Sequence, residues 1–216
     1  MSRFPFGHRA VTRPESHNQS GWFQYVCGHC GSSVSGAVLG SVENGSAVMR
    51  WLQCTVCTLG TVYVPGQGMY PGPVFGPEIE GLPADVLAAY GEARRCLSVN
   101  ATTAAEGICR KILMYIAVDK GATAGKTFKS YIEFLESEGF VTPPMRAWVT
   151  LIKDNGNEAQ HELKAPERKR AEGTLLFTAQ LLRTVYEMAH IADAYAAPPP
   201  PASSGTPVIS TGAASK

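Results

Sequence analysis

The chain has 216 residues, enough for one ordinary domain and a small one. It is 44% hydrophobic and 17% charged, a globular composition rather than a disordered or fibrous one. Lys and Arg number 19 against 18 Asp and Glu, so a formal net charge of +1 creates no global field toward nucleic acid or a membrane surface.

Residues 1–20 hold Arg3, Arg9 and Arg13 but no apolar stretch, and they read as a flexible arm rather than an export signal. No run of about 18 apolar residues occurs anywhere, so no transmembrane helix is expected. The expected location is therefore cytoplasmic. In a reducing compartment, paired Cys-x-x-Cys motifs serve metal rather than disulfides.

Residues 21–64 alternate short β-type runs (GWFQYV, SAVMRWLQ, TVYVP) with Gly, Ser and Asn. Asn44-Gly45 has the composition of a hairpin turn, since both residues tolerate positive φ. Two cysteine pairs, Cys27-Gly-His-Cys30 and Cys54-Thr-Val-Cys57, stand 23 residues apart in this region. Two residues between ligands let a tight turn present both sulfurs from one side, and Gly28 and Gly31 permit the backbone such a turn needs. Four thiolates at this spacing predict a closed tetrahedral site for one structural Zn2+ in a small β zinc ribbon, held by Cys27, Cys30, Cys54 and Cys57. A complete four-sulfur shell leaves no open position for catalysis. His29, inside the first knuckle, is read as solvent-facing. Cys96 and Cys109 fall in helical patterns and are read as ordinary core residues.

Residues 65–81 interleave Pro65, Pro71, Pro73 and Pro77 with five glycines, a density of breakers that predicts a linker. From 82 to 195 the hydrophobic period changes to nearly four, predicting an all-α bundle of about five helices. Val86, Tyr90 and Leu97, with Leu87 and Ala93, mark a first helix over 84–98. Thr103 and Glu106, at capping-box spacing, open a second that carries Ile108, Ile112, Tyr115 and Ile116 and ends at Gly121. Phe128, Ile132 and Leu135 mark a third, stopped by Gly139. Thr142-Pro143 opens a fourth with Met145, Trp148 and Ile152 on its apolar face. A fifth runs from Pro166 through Leu175, Leu182, Tyr186 and Ala189 to about Tyr195. Residues 196–216, rich in Pro, Ser, Gly and Thr, read as a disordered tail.

The fourth helix leads into Lys153-Asp-Asn-Gly-Asn-Glu-Ala-Gln-His161. Asn157 and His161 stand four apart and share a face if helix resumes there. Together they offer donors, an acceptor and a titratable base. The same pair also suits a plainer role, Asn157 as a cap and His161 as a satisfied core or interface residue. Over 82–195, 14 Lys and Arg balance 14 Asp and Glu, a net of zero, whereas generic nucleic-acid backbone binding normally shows a basic excess. The pairs Arg94-Arg95 and Arg110-Lys111 and the triplet Arg168-Lys169-Arg170 are read as solvated helix faces.

The opening LPADVLAAYGEARRCL, the AAEGICRKIL helix, the GNEAQH motif and the long last helix, over residues 82–192, resemble the bacterial domain-of-unknown-function 4145 family. Many of its members carry a cysteine-knuckle region upstream. The resemblance implies a HEPN-like helical domain, of a superfamily that includes ribonucleases and toxins, found beside restriction and phage-defence modules. It also implies a homodimer that brings both His161 segments into one cleft. In such ribonucleases an Arg precedes the His by four to six intervening residues. Here His161 and Asn157 match, but the Arg position falls on Gly156. Lys153 is the nearest cation, and otherwise an arginine such as Arg110 or Arg146 has to supply the charge. The expected function is thus a non-catalytic module recognising nucleic acid or a protein partner. The alternatives are a metal-independent ribonuclease with His161, Asn157 and Lys153 in its site, and a structural dimeric adaptor.

Overall fold

The computed structural model describes residues 21–149, 152 and 165–196. The expected arm over 1–20, the tail over 197–216, and Lys153, Asn157 and His161 lie outside the described residues.

The N-terminal part is a five-stranded antiparallel meander in which each strand pairs with the next. Its strands are β1 (Trp22–Val26), β2 (Ser33–Asn44), β3 (Ala47–Gln53), β4 (Gly60–Val64) and β5 (Gly68–Tyr70). β2 shows why the region is sheet: Val34, Gly36, Val38, Gly40 and Val42 all turn inward, a strict period of two. Leu39 is exposed by the same alternation and lies at a register irregularity between Val38 and Gly40. The β2–β3 turn sits one residue later than its sequence signal. Asn44 still pairs with Ala47, and Gly45 alone takes the left-handed conformation. The apolar content is divided between two small clusters, one of Tyr25, Val34, Val38 and Leu52 with Cys27 and Cys54, the other of Val42, Met49 and Val64.

The expected linker begins as structure. β5 lies inside it and pairs with β4, Val62 opposite Tyr70 and Val64 opposite Gly68. Gly66, at positive φ, lies in the turn between the two strands, and Gly68, also at positive φ, opens β5. The breaker density that forbids a central strand permits a three-residue edge strand, which needs partners on one side only. The following residues are laid along the first helix. Tyr90 donates its hydroxyl to Pro77 O (2.9 Å), and Arg94 donates to Phe75 O (3.1 Å) and Gly76 O (2.9 Å). Ile79 is buried in the helical core.

The C-terminal part consists, among the described residues, of α1 (Ala84–Ser98), α2 (Thr102–Asp119), α3 (Phe128–Ser137), a 3-10 turn at Pro143–Met145 continued by helical residues 146–149, and α4 (Arg168–Leu182). α4 runs through a π-turn at Arg183–Glu187 into α5 (Met188–Ala196). α2 is the central rod and packs against α1, α3 and α4. Its buried Ala105, Cys109, Ile112, Leu113 and Ile116 follow helical spacing. Thr127 caps α3 by accepting from the Ser130 N–H, as Thr and Ser do at helix starts.

Several expected details shift. Thr103 and Glu106 do not form a capping box: Ala101 precedes the helix and Glu106 is buried in the core. Leu87, Tyr115, Trp148 and Ala189 are exposed, and the last helix starts at Arg168, two residues after Pro166. Periodicity alone does not decide burial at these four residues, and in α5, which holds Ala189, no residue is buried. No helix among the described residues is long and apolar enough to cross a membrane.

Leu113→Ala, at a fully buried position of α2, is expected to cost about 2–5 kcal/mol of stability. Urea unfolding followed by helical ellipticity measures it, and an unchanged midpoint would remove Leu113 from the cooperative core.

Candidate metal centre and the cleft beside it

Each cysteine pair sits on a loop that begins as a strand ends, and the two loops repeat one geometry. In the first, the Cys27 N–H donates to Ser32 O (3.0 Å), the Gly31 N–H to Cys27 O (2.9 Å) and the His29 N–H to Cys27 Sγ (3.4 Å). In the second, the Cys54 N–H donates to Leu59 O (3.0 Å), the Thr58 N–H to Cys54 O (3.0 Å) and the Val56 N–H to Cys54 Sγ (3.4 Å). Gly31 and Thr58 hold the corresponding position, both in the left-handed region, at φ 73° and 62°. Glycine accepts that conformation freely, whereas the β-branched Thr58 is strained there.

The four sulfurs converge. All lie within 4.8 Å of one another, with Cys27 Sγ 3.7 Å from Cys57 Sγ and Cys30 Sγ 3.8 Å from Cys54 Sγ. A tetrahedron with metal–sulfur bonds of about 2.3 Å has edges of about 3.8 Å, which these two separations match, so the cluster is suited to a four-thiolate metal ion. Proton chemistry points the same way. Hydrogen bonds from Ser32 hold the Cys30 thiol down at about 6, and the backbone at Cys57 lowers Cys54. At Cys57 the backbone of Leu59 acts downward, but burial and the neighbouring thiols push it up to about 12. Four negative sulfurs in so small a space repel one another, and a divalent cation removes that repulsion. Cys27 and Cys54 are buried, Cys57 is half-buried and Cys30 is exposed, which places the site at the rim of the sheet.

His29 is exposed, as expected, and its Nε2 donates to Gly60 O at 3.0 Å, tying the first knuckle to β4. Cys109 is buried in the helical core, and burial drives its thiol up to about 12, as expected of an inert residue. Cys96, half-buried, shifts the same way for the same reason.

Beside the first knuckle lies a cleft of about 660 Å³, closed on the other side by α1. His29, Cys30, Pro71, Glu92, Arg95 and Val99 are among its walls. A second groove, of about 430 Å³, runs between Trp148 and Ile152 on one side and Lys169, Arg170 and Thr174 on the other.

Periodicity missed the buried charges of the helical part. Glu106, 5% exposed, accepts from Arg170 Nη2 at 3.0 Å. Arg110, four residues along α2, lies over the Phe128 ring at 4.1 Å, and burial lowers its pKa. Arg146 instead pairs with Glu136 at 3.7 Å, largely in solvent. Each basic cluster read as a solvated face therefore has a member turned inward: Arg94 to the carbonyls of Phe75 and Gly76, Arg110 to Phe128, and Arg168 and Arg170 to neighbouring helices. A warning was present in the sequence, because adjacent helical residues point about 100° apart and cannot all face water.

Thr58→Gly is expected to stabilise the metal-loaded ribbon by on the order of 1 kcal/mol, by relieving the left-handed backbone. Thermal melting of the loaded protein tests this. A lower midpoint would show that the Thr58 hydroxyl bond to Cys57 O, at 2.7 Å, outweighs the strain.

Searches among curated proteins and among solved structures return no match. A family match covers residues 91–197, beginning inside α1 and ending just past α5, so the cysteine-bearing sheet lies outside it. By that match the helical part of the chain belongs to the family described as Domain of unknown function (DUF4145).

Proposed function

We propose that this chain is a non-catalytic binding module: Cys27, Cys30, Cys54 and Cys57 hold one structural zinc ion, and the cleft between the first knuckle and α1 receives a protein partner. The observation that carries the reading is the cleft itself, built jointly by the metal-bearing loop and the helical part. Its walls combine both signs of charge in balance, Glu78 and Glu92 against Arg94 and Arg95, with the apolar Val74 and Val99. Such a mixture suits a protein surface, whereas a nucleic-acid backbone calls for an excess of cations. Val26, Val56 and Leu59 are exposed around the metal loops and add apolar contact area. A homodimer through the helical part belongs to the same reading, since α5 has no buried residue and exposes Met188, Ile191 and Tyr195 at helical spacing. The family resemblance directs the search for the partner toward bacterial and phage-defence assemblies.

Zinc is the ion of choice because four thiolates in a tetrahedron favour it over harder cations. Elemental analysis is expected to give one zinc per folded chain, and Cys54→Ala is expected to lose both the ion and the fold of the ribbon. Metal binding of this type contributes roughly 10–16 kcal/mol in small zinc domains, far more than two small apolar clusters can replace. Less than half an equivalent of zinc in folded protein would overturn the assignment.

A second reading keeps the HEPN-type ribonuclease, with His161 as acid or base beside Asn157 and Lys153. Two features speak for it: the GNEAQH motif, and the partly buried cation of Arg110, whose Nη1 has no hydrogen-bond partner among the described residues. Mixed RNA separates the two readings. The binding module is expected to leave RNA intact, and to capture a protein that Arg95→Glu and Val99→Asp variants of unchanged melting temperature release. RNA cleavage by the wild type that disappears in His161→Ala would replace this proposal with the enzyme. If the chain is the third alternative, a structural adaptor, capture survives both cleft variants and is lost with the ribbon.

A further inference from the structure

The carbonyls at the end of α1 have lost their helical partners, as they do at any helix C-terminus. Three parts of the chain satisfy them. Cys96 O accepts from the Ala101 N–H at 2.8 Å, a local bond that turns the chain into α2. Leu97 O accepts from Arg168 Nη1 at 3.0 Å, a bond that comes from the first residue of α4. Ser98 O accepts from the Gly72 N–H at 2.7 Å, a bond that comes from the segment leaving β5. Ser98 is 4% exposed, so its carbonyl has little access to water when that bond is lost.

Gly72 in turn is seated on the metal loop. Gly28, between Cys27 and His29, is buried so closely against the Pro71 and Gly72 carbonyls that a Cβ there would overlap both. Asn100 doubles the link. It holds a left-handed conformation at the α1–α2 junction (φ 60°), donates from Nδ2 to Tyr70 Oη at 3.4 Å, and accepts at Oδ1 from Arg168 Nη1. Arg168 also pairs with Glu172 at 2.7 Å within α4.

The geometry points to a conformational device: metal occupancy of the ribbon sets the order of the α1–α2 junction and of the first turn of α4, through Gly28, the Pro71–Gly72 backbone and Asn100. The inference rests on the metal reading above. When the ion leaves, the first knuckle loses the constraint that holds Gly28 against Gly72. Ser98 O and the Asn100 amide then lose their ribbon-side partners, and Arg168 loses a fixed acceptor. The α3 helix shares none of these bonds and serves as an internal reference. A ligand that changes the metal content of the ribbon thereby reaches the helical part without touching it.

Amide hydrogen exchange on the full chain, metal-loaded and then stripped with a chelator, tests the device. Stripping is expected to speed exchange in β1–β5 and, by about tenfold, at residues 99–101 and 169–172, while α3 is unchanged. Deprotection of the ribbon with no change at 99–101 and 169–172 would overturn the coupling and leave the metal reading intact. No change in the ribbon, with no metal found by elemental analysis, would remove both. Asn100→Gly keeps the left-handed junction and deletes its two side-chain bonds. It is expected to bind metal as the wild type does while the response at 169–172 falls at least severalfold, and an undiminished response would count against the relay. Gly28→Ala is expected to raise exchange at 99–101 even in metal-loaded protein. Loaded Gly28→Ala with wild-type protection there would show that the close packing transmits nothing.

Discussion

Four sulfurs within 4.8 Å of one another set the terms for the N-terminal half of this protein. Such a cluster is unfavourable as four separate anions and favourable as the shell of one cation. The sheet around it is too thin to hold the loops by apolar burial alone, since its interior is split into two clusters of a few side chains each. The cysteine loops are the product of the meander, and an ion held by them would be its main cohesive element. They also present Gly28 to the chain that follows, and through it the position of the helical part.

The helical part is stabilised differently. α2 contributes a continuous buried face, and α1, α3 and α4 close around it. Into this apolar core the chain places Glu106, with Arg170 brought from α4 to meet it. A buried ion pair is weak evidence for stability, because removing two charges from water costs about as much as their attraction returns. The pair joins α4 to α2 at one position, Arg170 opposite Glu106. Arg168, two residues earlier, makes the corresponding reach to the end of α1. Basic residues at a helix start oppose the helix dipole. Here Arg168 and Arg170 are met by acceptors on other helices, Leu97 O and Glu106.

The same contacts place the cleft. One wall is the first knuckle and the other is α1, with Pro71 at the seam. The relative position of the walls depends on the bonds that join Gly72 to Ser98 and Tyr70 to Asn100. On the proposed reading, a partner in the cleft and an ion in the ribbon would both bear on this one set of hydrogen bonds.

The two Cys-x-x-Cys pairs, the breakers after β4 and the period-four stripes of α1, α2 and α3 were all readable from residue types in order along the chain. They rest on local rules: ligand spacing, backbone permissiveness and helical periodicity. Apart from the convergence of the two cysteine pairs, the order of residues did not supply contacts between distant positions. Glu106 has capping-box spacing from Thr103, and only the approach of Arg170 makes it a core residue. The Pro and Gly run from 65 to 81 reads as a linker, and only its pairing with β4 and its packing along α1 make it the seam between the two parts. Local chemistry determined the cysteine cluster and the helix faces. Tertiary packing decided which charges are buried and what joins sheet to helices, because those outcomes depend on desolvation and on partners far away in the chain.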